Sequence, residues 1–247
     1  EVRIGPVNFK VENISVRGKV KNVSFEVRQG EVLGINGLVG AGRTETIRAV
    51  FGEDKRDSGK IYLNGKEVTI RSPRDAIHNG IGLLPEDRKT QGVLLDLPIR
   101  NNITLGCLKL FKTAFGKISG KKETAYINDM VEQLSIKVGS IENDVSSLSG
   151  GNQQKVIFGK WLEREPQVFM MDEPTRGIDV GAKYEIYELI INMAKQGKTI
   201  IVVSSEMPEI LGITNRIGVM SNGHLSGIVN TKETDQEELL RLSAKYL

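Results

Sequence analysis

The sequence has 247 residues, of which 39% are hydrophobic and 26% charged, so it can bury the core of one large α/β domain with a small subdomain. The formal net charge is only +3, from 34 basic and 31 acidic residues, and no basic cluster stands out, so nucleic-acid binding is not expected. Its apolar runs are too short to cross a bilayer, and its single cysteine, Cys107, excludes an internal disulfide and fits a reducing compartment.

The N-terminal part of the chain alternates short strands with turns, and its apolar run at residues 31–35 leads through a glycine-rich segment into a helix that ends near Val50. The dipeptide Asn64-Gly65 is a strong signal for a two-residue hairpin turn. The other elements predicted here are strands at 9–16 and 19–27, a hairpin at 59–70, a short helix at 72–79 and a strand at 81–84.

The pattern becomes mostly helical and more polar from Pro98 to about Ser147, with the clearest helix at 124–134 and a basic, exposed connection at 109–122. After a helix at 149–165, strands and helices alternate to the end of the chain, which implies a mainly parallel sheet covered on both faces. These elements are predicted at 167–171, 182–196, 198–204 and 206–214, followed by a hairpin near Asn222-Gly223.

The glycine-rich segment at 37–44, GLVGAGRT, has the spacing of a phosphate-binding loop except that Arg43 stands where Lys is expected. Glycines let the backbone turn several N–H groups toward one anion, and the following helix adds its positive end. Thr44 stands where a hydroxyl would hold Mg²⁺, while the planar guanidinium of Arg43 need not reach the oxygens that an ammonium would. A glycine-rich turn that binds nothing is the alternative at this point.

An apolar strand at 168–171 ends in two carboxylates, Asp172 and Glu173. This arrangement would place Asp172 beside a metal ion and Glu173 next to an attacking water. A core strand that ends in solvated acids remains the alternative.

Between these two motifs lies the segment 148–155, LSGGNQQK, about one helix before the acidic strand. Gly150 and Gly151 would expose backbone N–H groups at a helix start, and Ser149 is placed as a cap or a phosphate ligand. Such a bare helix start suits a γ-phosphate that another domain holds.

The order of these motifs resembles the ABC ATPases across essentially the whole chain. The resemblance implies an α/β P-loop NTPase core with a mainly parallel sheet and a small N-terminal antiparallel β subdomain (residues 1–97 and 148–247), and an inserted helical subdomain (98–147) that contacts a membrane protein. It also implies cassettes that work in head-to-tail pairs. Each ATP would lie between one cassette's phosphate loop and the partner's signature, the segment 148–151 (LSGG) in this chain, and Asp179 lies in the loop that runs between the paired domains. The residues expected to bind ATP are Gly37, Gly40, Ala41, Gly42, Arg43, Thr44, Glu45, Ser149, Gly150, Gly151 and Asp179.

A narrower resemblance rests on four segments taken together: 37–45, 84–89 (LPEDRK), 150–155 and 172–183 (DEPTRGIDVGAK). The combination resembles the C-terminal half of double-cassette ATPases of ribose, galactose and xylose importers. It implies ATP and Mg²⁺ as cofactors, a cytoplasmic-face location, a second cassette in the same polypeptide, a transmembrane permease and, indirectly, a periplasmic or extracellular sugar-binding protein. The first residue is Glu1 rather than Met, so we expect a longer polypeptide.

Three residues depart from the family pattern and bear on catalysis. Arg43 replaces the Lys of the phosphate loop, Glu86 stands where Gln is usual, and Ser205 takes the place of the switch His, while the presumed base Glu173 is retained. An aromatic residue for adenine is not evident near 15–19 either. Loss of a γ-phosphate contact weakens stabilisation of the transition state, so we expect a slow or silent site here and a signature that serves the partner cassette. The alternative is that Arg43 and Ser205 are tolerated and this half hydrolyses ATP normally.

Other function classes remain as alternatives. A non-catalytic regulatory module that binds nucleotide and dimerises is compatible with the same residues. A DNA-repair ATPase would need long coiled coils, for which 98–147 leaves no room, and a translation factor would be expected to carry a basic arm. In a phosphate-loop kinase the segment 148–151 would have no role.

Overall fold

A computed structural model describes residues 3–247; Glu1 and Val2, which belong to the predicted core, lie outside the described residues. Within the described residues, ten strands form two sheets. In chain order they are β1 (Val7–Val16), β2 (Val20–Arg28), β3 (Val32–Gly37), β4 (Ser58–Leu63), β5 (Lys66–Val68), β6 (Ile81–Leu84), β7 (Val168–Asp172), β8 (Thr199–Val203), β9 (Arg216–Ser221) and β10 (His224–Asn230).

The larger sheet has six strands in the order β10-β9-β3-β8-β7-β6. All of its neighbouring pairs are parallel except β10 with β9. Strands β3, β6, β7 and β8 are buried at every residue, as expected for parallel strands with both faces covered. The predicted mainly parallel sheet is confirmed.

The smaller sheet is antiparallel, in the order β2-β1-β4-β5, and buried residues alternate with exposed ones along β2. Its predicted hairpin is confirmed, because Asn64 and Gly65 adopt φ values of 50° and 77° between β4 and β5, as a two-residue turn of this type requires. The same chemistry makes the hairpin between β9 and β10, where Asn222 and Gly223 have φ values of 45° and 82°.

Eight α-helices complete the described chain. They are α1 (Arg43–Phe51), α2 (Pro73–His78), α3 (Ile99–Thr104), α4 (Gly120–Gln133), α5 (Gly150–Leu162), α6 (Val180–Lys195), α7 (Met207–Ile213) and α8 (Gln236–Ser243). Side-chain caps fix several of their starts, since Ser72, Ser149 and Asp235 each accept an N–H from the first turn of the helix that follows. Within residues 3–247 no helix has the length and apolar character that a membrane span needs.

The chain divides into two compact units. The first comprises residues up to Glu86, Pro166–Pro174 and Tyr187–Leu247, and it contains both sheets. The second comprises Asp87–Glu165 and Thr175–Ile186, and the predicted helical insert at 98–147 lies within it.

The prediction of an exposed connection over 109–122 is wrong in part. Phe111 is buried at the end of a short 3₁₀ turn (Leu108–Phe111), and α4 already begins at Gly120. The earlier start follows from Ser119, whose side chain accepts the N–H of Lys122 and so caps the first turn.

Candidate functional site

The carboxyl ends of parallel strands meet at one edge of the six-stranded sheet, and the predicted phosphate loop and acidic pair both lie there. Strand β3 ends at Gly37, β7 at Asp172 and β8 at Val203. Val203 pairs with Ile35 on one side and with Asp172 on the other, so β8 lies between the two motifs. The fold therefore brings together segments that are far apart in the sequence.

Glycine is required at two points of the loop between β3 and α1. Gly37 has a φ of 153°, and a Cβ added there would lie 2.5 Å from the carbonyl oxygen of Met220. Gly42 has a φ of 95°, and its added Cβ would lie 2.7 Å from the carbonyl oxygen of Lys19. The loop is thus held against neighbouring backbone in a shape that a side chain would prevent.

The same loop leaves a run of backbone N–H groups without protein acceptors among the described residues, namely those of Gly40, Gly42, Arg43 and Thr44. Ala41 differs, because its N–H donates to Leu38 O at 3.0 Å and its carbonyl accepts from Gly223 at 2.9 Å. Unpaired amides at the start of a helix form an anion-binding nest, and the helix dipole adds positive potential. Glu45 lies in the first turn of α1, half-buried.

Arg43 does not point away from this site but forms an ion pair with Glu173. Their Nη2 and Oε1 atoms are 3.5 Å apart, and each side chain is only 10% exposed. Arg43 Nη1 is buried without a hydrogen-bond partner in the described part of the chain. Glu173 itself has a φ of 46°, an uncommon conformation for a residue with a side chain.

The second contact to the Glu173 carboxylate comes from the end of β8. The backbone N–H of Ser205 donates to Glu173 Oε1 at 2.8 Å, and the Glu173 N–H donates to Val203 O at 2.8 Å. The preceding residue, Ser204, is fully buried, and its carbonyl accepts from Asn36 Nδ2 at 2.9 Å. Asn36 carried no functional prediction, although a polar residue within the apolar strand β3 was a signal that could have found it.

Asp172 is a buried carboxylate with an unusual acidity. The pKa of Asp172 is raised to about 7, chiefly by burial and further by the negative charges of Glu86 and Glu173. A hydrogen bond from Thr44 acts in the opposite direction and lowers it. Its Oδ1 has no hydrogen-bond partner among residues 3–247. A buried carboxylate with one unpaired oxygen beside a hydroxyl fits a divalent cation, which would take hard oxygen ligands from both side chains.

Protein groups alone do not complete such a cation site. Among the described residues there is no group of three or more His, Cys, Asp or Glu side chains that could hold a metal ion. A cation held by Thr44 and Asp172 would take its other ligands from water and phosphate, as Mg²⁺ commonly does. The residues present therefore fit a metal that arrives with a nucleotide.

The predicted signature lies in the second unit, at the start of α5. Ser149 caps this helix, and its Oγ accepts from Asn152 Nδ2 at 3.0 Å and from Asn152 N–H at 3.4 Å. Gly151 is buried, and a Cβ added there would lie 2.6 Å from the Cβ of Ala182. Asp179 is close by, because its Oδ1 caps α6 by accepting the N–H of Ala182 at 3.0 Å. The structure thus brings the signature and Asp179 together on neighbouring helix starts.

The sequence profile of the ABC transporter family matches residues 20–176. The chain belongs to this family. The galactose/methyl galactoside import ATP-binding protein MglA of Treponema denticola is 57% identical over 241 residues, which cover 97% of this chain and 48% of that protein. The ribose import ATP-binding protein RbsA of Clostridium tetani is 48% identical over 246 residues, with 100% of this chain and 49% of that protein covered. The chain therefore spans about half the length of these curated relatives.

Solved ABC transporter cassettes share the fold. A nucleotide-free ATP-binding cassette from an ABC transporter superposes with a TM-score of 0.79 at 22% identity, covering 96% of this chain and 95% of the other. A dimeric cassette in a post-hydrolysis state, bound to ADP and Pi, gives a TM-score of 0.75 at 21% identity over 90% of this chain and 98% of its own. The predicted fold class, an ABC ATPase core with parallel and antiparallel sheets, is confirmed.

Proposed function

We propose that this chain is the ATP-binding and ATP-hydrolysing cassette of a monosaccharide importer, and that its own nucleotide site turns over slowly while its signature acts on the ATP of a partner cassette. The proposed import of a monosaccharide rests on the relatives, which are named as import proteins for galactose, methyl galactoside and ribose. The observation that chiefly supports the proposed slow site is the ion pair between Arg43 and Glu173.

Nucleotide binding has clear support in the first unit. The free amides of Gly40, Gly42, Arg43 and Thr44 would receive the phosphates. Thr44 and Asp172 would hold Mg²⁺. When bound, the metal would neutralise charge on the phosphates. Millimolar Mg-ATP should therefore give a binding isotherm by calorimetry with this chain, and no heat of binding at that concentration would contradict the proposed site.

Slow turnover follows from what surrounds the presumed base. Glu173 Oε1 already accepts from the Ser205 N–H and lies 3.5 Å from the Arg43 guanidinium, so this oxygen is engaged by protein donors rather than by an attacking water. Ser205 also offers no imidazole to the γ-phosphate. One lost contact of this kind costs about 10²–10³ in rate.

The partners proposed here complete the cycle. A second cassette, in the same polypeptide, would supply the phosphate loop that faces Ser149–Gly151, and the helical insert at 98–147 would dock onto a transmembrane permease at the cytoplasmic face of the membrane. A sugar-binding protein outside the cell would deliver the substrate to that permease. No nucleic acid has a part in this scheme.

The test is turnover of the assembled importer with two variants. Ser149→Arg, which puts a bulky cation at the start of α5, should abolish ATP hydrolysis, and Glu173→Gln should lower it by less than half. Ser58→Arg, at an exposed position of β4, is the matched control and should leave hydrolysis near the unmodified rate. If Ser149→Arg has no effect while Glu173→Gln abolishes turnover, the division of labour is wrong; if neither changes it, the chain is a regulatory nucleotide-binding module.

A further inference from the structure

Arg88 makes contacts that its place in the sequence did not reveal. It begins a single π-helical turn (Arg88–Gly92), directly after Asp87, whose Oδ1 accepts the N–H groups of Lys89 and Thr90 at 3.0 and 3.3 Å. This local cap fixes the backbone from which the Arg88 side chain extends.

The Arg88 guanidinium reaches two segments of the second unit at once. Nη1 donates to Arg176 O at 2.6 Å and Nη2 donates to Gly177 O at 3.3 Å. Nε faces Gln153 Oε1 at 3.4 Å, in the first turns of α5. A planar guanidinium presents fixed donors on three nitrogens, one for each of these acceptors, whereas the three donors of an ammonium all radiate from one nitrogen.

The first segment is the loop 175–179, which leads from Thr175 to Asp179 at the start of α6. Gly177 has a φ of 66°, and the Ile178 N–H donates back to Thr175 O at 3.2 Å, so the loop is a tight turn. The two carbonyl oxygens that precede Ile178, those of Arg176 and Gly177, both accept hydrogen bonds from the Arg88 guanidinium. The Arg88 guanidinium thus contacts the backbone of the turn that leads directly to Asp179.

The second segment is the signature. A Cβ added at Gly150 would lie 2.7 Å from Arg88 Nη2 and 3.1 Å from Gly177 O, so the absence of a side chain lets the guanidinium and the loop approach the helix start. Gln153, which accepts from Arg88, also donates from Nε2 to Leu148 O at 3.1 Å. A chain of polar contacts thus runs from the loop 175–179 through Arg88 and Gln153 to the residue before Ser149.

We propose that Arg88 is a positioning residue that holds the signature and the loop 175–179 as one rigid piece, so that Ser149–Gly151 and Asp179 keep a fixed spacing toward the nucleotide of the partner cassette. Only the part that concerns the nucleotide of a partner cassette rests on the proposed function. Arg88 touches no reacting atom in this scheme; it acts through the backbone carbonyls and the amide of Gln153.

The location of Arg88 in the chain gives this link a further consequence. The chain passes from the first unit to the second at Glu86/Asp87 and again at Pro174/Thr175. Arg88 joins the segments just after these two crossings, so a displacement of Asp87 and Arg88 is passed directly to the loop 175–179 and to α5. The signature and Asp179 are then expected to move together.

Hydrogen–deuterium exchange on the chain itself tests the link without reference to transport. Arg88→Ala should speed amide exchange by about tenfold or more at two places. The first is the loop 175–179 with the start of α6, reported by the N–H groups of Ile178, Ala182 and Lys183. The second is the start of α5, reported by the N–H group of Gln153, which donates to Ser149 O. Arg88→Lys keeps the charge but loses the fork, so it should resemble Arg88→Ala at both places. Arg100→Ala is the control, because Arg100 also makes several side-chain contacts in the second unit, to Glu123, Thr124 and Glu142. Faster exchange at only one of the two sets, at neither, or equally in Arg100→Ala would overturn the proposal.

Turnover of the assembled importer tests whether the fixed spacing of the signature and Asp179 matters for ATP hydrolysis. Arg88→Ala should lower the rate at saturating ATP by about tenfold or more with KM within about twofold, since the phosphate loop that binds the nucleotide is not touched. An unchanged rate at saturating ATP, or a change in KM alone, would overturn the proposed effect of Arg88 on hydrolysis. The Ser149→Arg variant separates the two levels: if it leaves turnover intact, the proposed function fails, whereas an effect of Ser149→Arg without one of Arg88→Ala refutes the positioning role alone.

Discussion

Replacing Asp172 by Asn should stabilise the chain in the absence of nucleotide and metal, although it removes a proposed Mg²⁺ ligand. The carboxylate is 2% exposed, its Oδ1 has no partner among the described residues, and its pKa is raised from 3.8 to about 7, chiefly by burial. A tenfold change in an ionisation constant is worth about 1.4 kcal/mol, so the charged form weakens folding by at most about 4 kcal/mol above pH 7. The isosteric amide carries no such cost.

The sign of the pH dependence follows from the same shift. The folded chain holds the Asp172 proton more tightly than the unfolded chain, so this group's contribution to the free energy of unfolding falls as the pH rises from about 4 to about 7 and is constant above. The advantage of Asp172→Asn should therefore be under about 2 kcal/mol at pH 5 and larger, up to about 4 kcal/mol, at pH 7.5.

Urea denaturation at pH 5 and pH 7.5, without Mg²⁺ or nucleotide, measures both values. Asp96→Asn is the control, because Asp96 is exposed and its replacement should change the free energy of unfolding by less than about 0.5 kcal/mol. A variant no more stable than the unmodified chain at pH 7.5, or equally favoured at both pH values, would show that the buried charge of Asp172 does not weaken folding as proposed. Calorimetry with Mg-ATP should show that the stabilised variant binds nucleotide more weakly, which is the usual cost of relieving strain at a ligand site.

Two further predictions concern the second unit. Lys155 is 2% exposed and donates to Ser135 O at 2.9 Å and to Glu185 Oε2 at 2.5 Å. Glu185→Gln leaves this buried cation without its counter-charge and should lower the free energy of unfolding by about 2–3 kcal/mol. The value is at the low end for a buried pair because Glu185 itself is 40% exposed. Lys155→Met should cost less in the same urea titration, and the reverse order would contradict the argument. Burial raises the pKa of Cys107 to about 11, so a thiol reagent at pH 8 should label the folded chain at least about 100-fold more slowly than the chain in urea; similar rates would show that the thiol is accessible.

The features that sequence alone predicted are those whose causes are local. The hairpins at Asn64-Gly65 and Asn222-Gly223 follow from the left-handed conformations that these residues tolerate, and glycines mark the phosphate loop for the same reason. The alternation of buried strands with helices predicted the parallel sheet. The start of α4 was misplaced because a single Ser cap outweighed the basic and glycine-containing segment around it.

The contacts that sequence could not supply join residues from distant segments. Arg43 was recognised as an unusual residue of the loop and Glu173 as an acid after a strand, but their ion pair depends on β8 lying between β3 and β7. From the sequence, Arg88 could be noted only as one residue of the segment 84–89. Its contacts could not be predicted because its three acceptors lie in α5 and in the loop 175–179, far along the chain. Strand order and helix packing are set by the whole chain, and no window of sequence contains them.

The two halves of the proposed machinery differ in how completely their polar groups are satisfied. At the phosphate loop, Asp172 Oδ1 and Arg43 Nη1 are buried without partners among the described residues, and several amides are free as well. Buried unpaired groups are costly, so their persistence indicates a ligand that satisfies them. At the signature, the Oγ of Ser149 and the carbonyls of Arg176 and Gly177 have protein partners, while the N–H groups of Gly150 and Gly151 have no acceptor among residues 3–247. Of the two sites, only the phosphate loop thus holds buried side-chain atoms without partners in the described chain, whereas the signature offers backbone N–H groups at the start of α5, the donors that the γ-phosphate of a partner's nucleotide would take.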